Sequence, residues 1–412
     1  MNDQPSARQR IFSTKNTIAV VLAVVAVGVG LQQQSGGPER YPNYVIFRNS
    51  YGNLVAHRDL YQRSGAEKDC FLYSPTFALA MAPFAHVPDG LGILLWCTIN
   101  SLLVYLAIAR VPGIEDRARL LMMFIFLPDF IIAQQNLQTN PLVASFVMLA
   151  FVCFERRETF WAALFVALAF YVKIFGLLAA SLCLLYRGRP KFVAALLFWF
   201  AVLFAMPLAV ISFSELVGLY ENWYRLTTLM HGNASVSAAS SLYSADFSLS
   251  LMNWLRAWFG LKPDAVRVQL LGLVLFAIPF LCWRAFENSR FRVLLLSSLL
   301  IWCVIFNHVA ESPTYVIAMI GVGLWFVHEA KNKVTVSLLA LAVVLTGLSS
   351  TDLFPRNVRN ELVKPLFLKP FPCILIWGWI QFRLLTTQPA PAGLRLRLGG
   401  YTPRFVKLPH VS

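Results

Sequence analysis

The chain has 412 residues, of which 58% are hydrophobic and 14% aromatic while only 13% carry charge. A soluble domain uses about a quarter charged residues, so composition excludes a water-soluble globular fold. The formal net charge is +15, but the basic residues cluster between apolar runs, as in the loops of a membrane protein rather than on a nucleic-acid-binding face.

The reading is an all-α, polytopic transmembrane protein, because a lipid-exposed span must satisfy every backbone N–H and C=O internally. Of the seven cysteines, Cys97, Cys153, Cys183, Cys282, Cys303 and Cys373 lie in apolar segments and Cys70 stands alone in a loop. With no CxxC pair, neither a disulfide framework nor a zinc site is indicated. There is also no GxxxxGK[ST] and no GxGxxG after a strand, so no nucleotide-hydrolysing domain is expected. No metal or cofactor enters the reading.

In chain order, Arg8, Arg10 and Lys15 precede the apolar run Thr17 to Leu31. This resembles a signal peptide, but the run ends in GLQQQSGG with no small-x-small cleavage site close behind it. It reads as an uncleaved first span, with residues 1–13 in the cytoplasm. The polar region 32–90 that follows is too long to be a connector. Within it, Asn43 to His57 has apolar residues at Tyr44, Phe47, Tyr51, Leu54 and Val55, the spacing of an amphipathic helix lying on the membrane surface. Long loops on a membrane scaffold carry binding and chemistry, which makes Asn43, Arg48 and Tyr73 substrate-binding candidates. Asp59, before Leu60-Tyr61, and Asp69, before Phe71-Leu72-Tyr73-Ser74-Pro75, are candidate general bases. Asp is also common in turns for local reasons.

Including the first span (14–31), about twelve apolar segments recur, at approximately 91–109, 119–134, 141–154, 160–172, 174–186, 192–213, 268–284, 293–306, 314–328, 334–349 and 371–386. Several fall short of the roughly 20 residues a perpendicular span needs. The hairpins at 119–154 and 160–186 are therefore expected to be partial or broken helices buried among others. Short basic clusters around Arg110, Arg156, Arg187, Arg290 and Lys331, and the basic tail 387–412, mark the cytoplasmic side. Facing them are the regions 32–90, 135–140, 214–267 and 350–370 and the turn 307–313. Loops on one side are short and basic, and on the other long and aromatic, so the working face is extracytoplasmic. Residues 14–386 form one membrane domain. No internal repeat is evident, which counts against a transporter built from repeated halves.

Several polar residues stand out in this frame. Lys173 interrupts FVALAFYVKIFGLLA. An ammonium in hydrocarbon costs about 3 kcal/mol even on permissive scales and marks function by default. A lipid-linked phosphate is its natural partner; snorkelling, or capping carbonyls at a hairpin tip, is the alternative. His308 and Glu311, in IFNHVAESPTY, can bind phosphate or hydroxyls or transfer a proton. Glu311 and Ser312 can equally cap the next helix, with Pro313 in its first turn. The QQNLQTNP turn after Asp129 supplies amides, Gln138 among them, that read sugar hydroxyls or satisfy a broken backbone. Glu221 to Tyr224 and Trp254 to Trp258 offer a stacking floor, or simply an interfacial aromatic belt.

A first span, an aromatic amphipathic helix, then His57-Arg58-Asp59-Leu60-Tyr61, Tyr73-Ser74-Pro75 and Trp96-Cys97-Thr98-Ile99-Asn100 form a pattern. It resembles family 87 of the glycosyltransferases, over roughly residues 14–386. Lys173 and the His308 turn fit as well. The resemblance implies the multi-span inverting fold called class C, a site on the extracytoplasmic face of the plasma membrane, a polyprenyl-phosphate sugar donor and no metal. It also implies a carboxylate in the first loop that deprotonates the acceptor hydroxyl, and basic side chains that stabilise the departing phosphate. The chain departs from the pattern just before Tyr44-Val45-Ile46-Phe47, where Asn43 stands in place of the family's Asp. The resulting expectation is a hexosyltransferase, mannose-like in specificity, acting on a lipid or glycan acceptor. The alternatives are a transporter or flippase for a lipid or polysaccharide precursor, and a non-catalytic degenerate paralogue.

Overall fold

The computed structural model describes residues 14–61, 70–231 and 248–387. The described residues form helices and no strands. The main elements are α1 (Thr14–Gln34), α2 (Pro42–Val55), α3 (Pro75–Ala80), α4 (Asp89–Arg110), α5 (Asp116–Gln135), α6 (Asn140–Glu155) and α7 (Thr159–Val172). A tight 3₁₀ segment, Ile174–Leu185, leads to α8 (Arg189–Ala205), α9 (Phe213–His231), α10 (Leu251–Phe259) and α11 (Ala265–Ala277). The chain closes with α12 (Ser289–Ile305), α13 (Tyr315–His328), α14 (Lys333–Leu341) and α15 (Phe371–Thr386). The apolar runs of the sequence are thus helical, but among the described residues only 5 helices are long and apolar enough to cross a membrane. These are Thr14–Gln34, Asp89–Arg110, Asp116–Gln135, Arg189–Ala209 and Lys333–Ser350.

The short helices survive because protein rather than lipid covers them. Helices α6, α12 and α13 are apolar on every face and almost wholly buried, the signature of a central helix. α12 runs along α13, α6 along α7, and α1 along α4 and α5. The outer helices α1, α8 and α11 instead leave Val24 64%, Leu197 66% and Val274 60% exposed. Apolar stripes of that extent suit hydrocarbon rather than water. Two carboxylates bind the helix ends together at one end of the bundle. Glu155 of α6 accepts from Arg292 of α12 and from Tyr186, and Glu329 accepts from Arg290 at 2.5 Å and pairs with Arg383 of α15 at 3.3 Å.

At the other end, α2 is a helix as its periodicity predicts, and much of its apolar face packs against protein. Tyr44, Phe47 and Leu54 are buried in the protein core. Phe47 meets Tyr73 and Phe77 edge-on, with ring centroids at 5.0 and 5.4 Å, the arrangement that opposite ring-edge and ring-face charge favours. The Tyr44 ring lies over Gly92 of α4, where a Cβ would fall 1.6 Å from the phenol oxygen. Burial, with Asp89 nearby, pushes that phenol up to about 12, so it stays protonated.

Two local devices set the geometry of this end. In the first, Trp96 of α4 donates its indole N–H to the Leu137 carbonyl at 3.0 Å. Gln134 donates to the Cys97 carbonyl at 2.9 Å and to Ser101 at 3.0 Å. Together they hold the α5–α6 turn, in which Leu137 adopts a positive φ of 50° that a branched side chain disfavours. In the second, α7 stops at Val172 and Lys173 takes an extended conformation. Its N–H donates to the Ala169 carbonyl, and its own carbonyl accepts from Gly176, each at 2.8 Å. The chain folds back so closely that a Cβ on Gly176 would lie 2.5 Å from the carbonyl carbon of Ala169.

Both devices can be checked by thermal unfolding of the purified protein in detergent. Trp96→Phe keeps an aromatic ring but strands the buried Leu137 carbonyl, with an expected loss of about 1–3 kcal/mol. An unchanged melting temperature would show that the indole bond does not hold the turn. Gly176→Ala forces the elbow apart, with an expected cost of about 1–3 kcal/mol, while Gly52→Ala, where a Cβ meets nothing within 4 Å, serves as the control that should not show this loss.

Candidate functional site

Separate stretches of chain, distant in sequence, meet around one cavity of about 560 Å³. α2 contributes Asn43, the segment before α3 contributes Tyr73, and the α5–α6 turn contributes Gln138. The elbow contributes Lys173, and the turn between α12 and α13 contributes His308 and Glu311. Among the described lining residues, Lys173 is the one lysine or arginine and Glu311 the one carboxylate. The two lie within electrostatic reach of each other, and the Lys173 ammonium sits 6.0 Å from the centre of the Tyr73 ring.

Each polar group is held in place. Asn43 donates its amide to the Asn136 carbonyl at 2.9 Å, which leaves its carbonyl oxygen as the free-standing acceptor function of the side chain. Thr139 donates to the Tyr73 hydroxyl at 3.4 Å. Gln269 of α11 donates to the Phe306 carbonyl at 3.1 Å and lies 3.1 Å from His308 Nδ1. Because the same amide nitrogen serves both contacts, a neutral His308 accepts at Nδ1 and carries its proton on Nε2. The His308 turn is pinned by Leu249, whose N–H donates to the Ala310 carbonyl at 2.7 Å. Glu311 stands at the N-cap position with Pro313 in the first turn, and its N–H donates to Thr314 Oγ1 at 3.2 Å. The capping geometry and the cavity-lining position therefore coexist in one residue.

The remaining wall is apolar. Phe175, Leu177 and Leu178 of the 3₁₀ segment line it with Leu273 of α11, Trp302 of α12 and Phe306 just after α12. Leu177 and Leu273 are also partly exposed beside the outward-facing Leu270 and Leu271. The cavity thus runs from a polar end to the surface that suits hydrocarbon. It can hold an amphiphilic anion, with a cation and an imidazole N–H for the charge and a carboxylate able to take a proton.

The other sequence candidates lie elsewhere. Arg48 does not line the cavity: it pairs with Asp89 in the first turn of α4, where a carboxylate favours the helix N-terminus. Asp59 does not line it either. Its carboxylate accepts from the N–H of Tyr61 at 2.9 Å, a local turn, and Asp59 lines a separate depression with His57, Arg58, Glu215 and Asn222. Asp69 lies outside the described residues. Sequence reading passed over Gln269 and Trp302, while Asn307, in the singled-out turn, also lines the cavity. A glutamine inside the apolar run 268–284 was the available signal for the first, whereas Trp302 looks like any core aromatic.

No curated protein matches the chain. The family model described as glycosyltransferase family 87 matches residues 71–307, a stretch that includes Tyr73, Trp96, Gln138 and Lys173 and spans more than half of the molecule. With its apolar helices and this match, the chain belongs to glycosyltransferase family 87 and is a membrane glycosyltransferase.

Proposed function

We propose that the protein moves a hexose, mannose-like in kind, from a polyprenyl-phosphate donor to a lipid or glycan acceptor at the extracytoplasmic face of the plasma membrane, within a class C architecture. The observation that carries this reading is the single cavity in which Lys173, His308 and Glu311 meet at one end of an apolar channel. In the proposed pose the isoprenoid chain lies against Leu177, Leu178 and Leu273. The donor phosphate sits between the Lys173 ammonium and the His308 Nε2–H. Asn43, Gln138 and Tyr73 bond sugar or acceptor hydroxyls.

The reaction follows from those positions. The acceptor hydroxyl oxygen attacks the anomeric carbon and forms the new glycosidic bond with inversion. The bond from that carbon to the phosphate oxygen breaks, and the polyprenyl phosphate leaves with both electrons of that bond. The acceptor proton passes to Glu311. Lys173 and His308 stabilise the phosphate as its negative charge grows, which lowers the barrier because they are already aimed at that charge. No metal is needed for this balance.

The test uses the purified full chain in lipid nanodiscs with radiolabelled polyprenyl-phosphate mannose and an extract of native membrane lipids. Transfer is expected from wild type. Lys173→Ala should lose about a hundredfold or more in kcat, the scale for removing one transition-state charge contact. Glu311→Gln should lose a similar factor, within the range for a general base. Both variants should keep the wild-type melting temperature to within a few degrees. Full activity in folded Glu311→Gln would remove Glu311 as the base, and no transfer from any polyprenyl-phosphate sugar would overturn the donor assignment.

A further inference from the structure

Behind the turn that carries Glu311 lies a second charged group. Asp129 of α5 and Lys369, just before α15, are both buried, and the ammonium donates to the carboxylate at 2.9 Å. The residues are 240 positions apart, and neither lines the cavity. Taking two charges out of water costs several kcal/mol per ion, and such a pair often stabilises a fold no more than apolar residues of similar volume. A structural staple alone is therefore a poor account of it. Its remaining contacts give a better one.

Lys369 makes a second hydrogen bond, to Ser350 Oγ at 2.9 Å, and Ser350 Oγ in turn accepts from Ser312 Oγ at 3.0 Å. Ser312 is the residue next to Glu311. The Lys369 ammonium also lies 5.1 Å from the centre of the Tyr315 ring, in the first turn of α13. The lysine's own carbonyl accepts from Thr346 Oγ1 at 2.8 Å, which fixes where its side chain begins. On the other side of Glu311, Tyr315 donates to the Leu249 carbonyl at 2.7 Å, and the Leu249 N–H holds the Ala310 carbonyl at 2.7 Å. Glu311 thus sits between two anchored neighbours, one tied through backbone and one through a chain of hydroxyls that ends on a buried ion pair.

We propose that Asp129 and Lys369 are positioning residues for Glu311, acting through Ser350 and Ser312 to hold the α12–α13 turn against the cavity. The proposal rests on the reading of Glu311 as proton acceptor. The ion pair fixes the ammonium, the ammonium orients the Ser350 hydroxyl, and that hydroxyl accepts the Ser312 proton and fixes the first residue after Glu311. Misplacing a reacting group by about 1 Å can cost a hundredfold in rate, so a rigid mount for one carboxylate has a direct consequence for turnover.

The test has two readouts on the full chain in nanodiscs. The first is backbone hydrogen exchange, which needs no substrate. Ser350→Ala, Ser312→Ala and the double variant Asp129→Asn/Lys369→Met should each speed exchange of the 307–315 peptide about fivefold or more. The 294–300 stretch of α12 should exchange as in wild type. Unchanged exchange in the turn overturns the proposal. The second readout is transfer from polyprenyl-phosphate mannose. Ser350→Ala should lower kcat about tenfold or more while KM for the donor stays within about twofold. Ser350→Thr, which keeps the hydroxyl, should restore most of kcat. Equal losses in the alanine and threonine variants overturn the hydroxyl link. Absence of transfer by wild type defeats the functional reading, whereas the exchange measurement still decides whether the pair holds the turn.

Discussion

A lysine at the tip of an apolar hairpin is the constraint on which the rest of this end of the molecule depends. Lys173 occupies the one extended residue between α7 and the 3₁₀ segment, so both its charge and the broken backbone need compensation. The backbone is served by the tight return over Ala169, which only a residue without a side chain at 176 permits. The charge is met by the Glu311 field and the Tyr73 ring. A polar cavity inside an otherwise apolar bundle is the cheapest surrounding for such a group, since an unpaired ammonium in hydrocarbon would cost far more than the polar side chains gathered there.

The helical architecture was legible because apolar runs in a bilayer have one regular solution. What hydropathy does not report is what covers each run. The sequence α6, α12 and α13 share reads like that of α8, yet the first three are sheathed by protein and the last shows Leu197 and Phe198 outward. Segment counting therefore does not by itself give the number of full crossings. The same gap explains α2. Its periodicity established an apolar face, and the face lies against Phe77 and Trp96 rather than against lipid, because the aromatic segment 71–84 returns across it. No local pattern announces that return.

In the site, residues whose type is anomalous in their surroundings were legible. Lys173, and the His308 and Glu311 turn, stand out against apolar neighbours, and all three line the cavity with Asn43, Tyr73 and Gln138. Residues whose role depends on a distant partner were not. Arg48 and Asp89 are 41 positions apart and satisfy each other, which removes Arg48 from the cavity. Asp59 gives one oxygen to the N–H two residues ahead, a role every turn aspartate offers, and faces a different depression. Asp129 was visible as an acid in an apolar run, but its meaning required Lys369, which sits in an unremarkable loop and is paired only by the tertiary fold.

The departure at Asn43 takes on a definite physical sense in this setting. An amide cannot take a proton, and its nitrogen is already committed to the Asn136 carbonyl, so the side chain can orient a hydroxyl but not activate it. In the proposed reaction the proton goes instead to Glu311, the carboxylate among the described cavity residues, which comes from a different element and lies within electrostatic reach of Lys173. The donor is a phosphodiester with one negative charge, which would compete for that ammonium at close range and more strongly as the departing polyprenyl phosphate gains its second charge. As Lys173 turns to the phosphate, its electrostatic hold on Glu311 weakens. Binding of the donor would then act on the base through Lys173, a coupling open to it because the cation, Glu311 and Asn43 line one cavity.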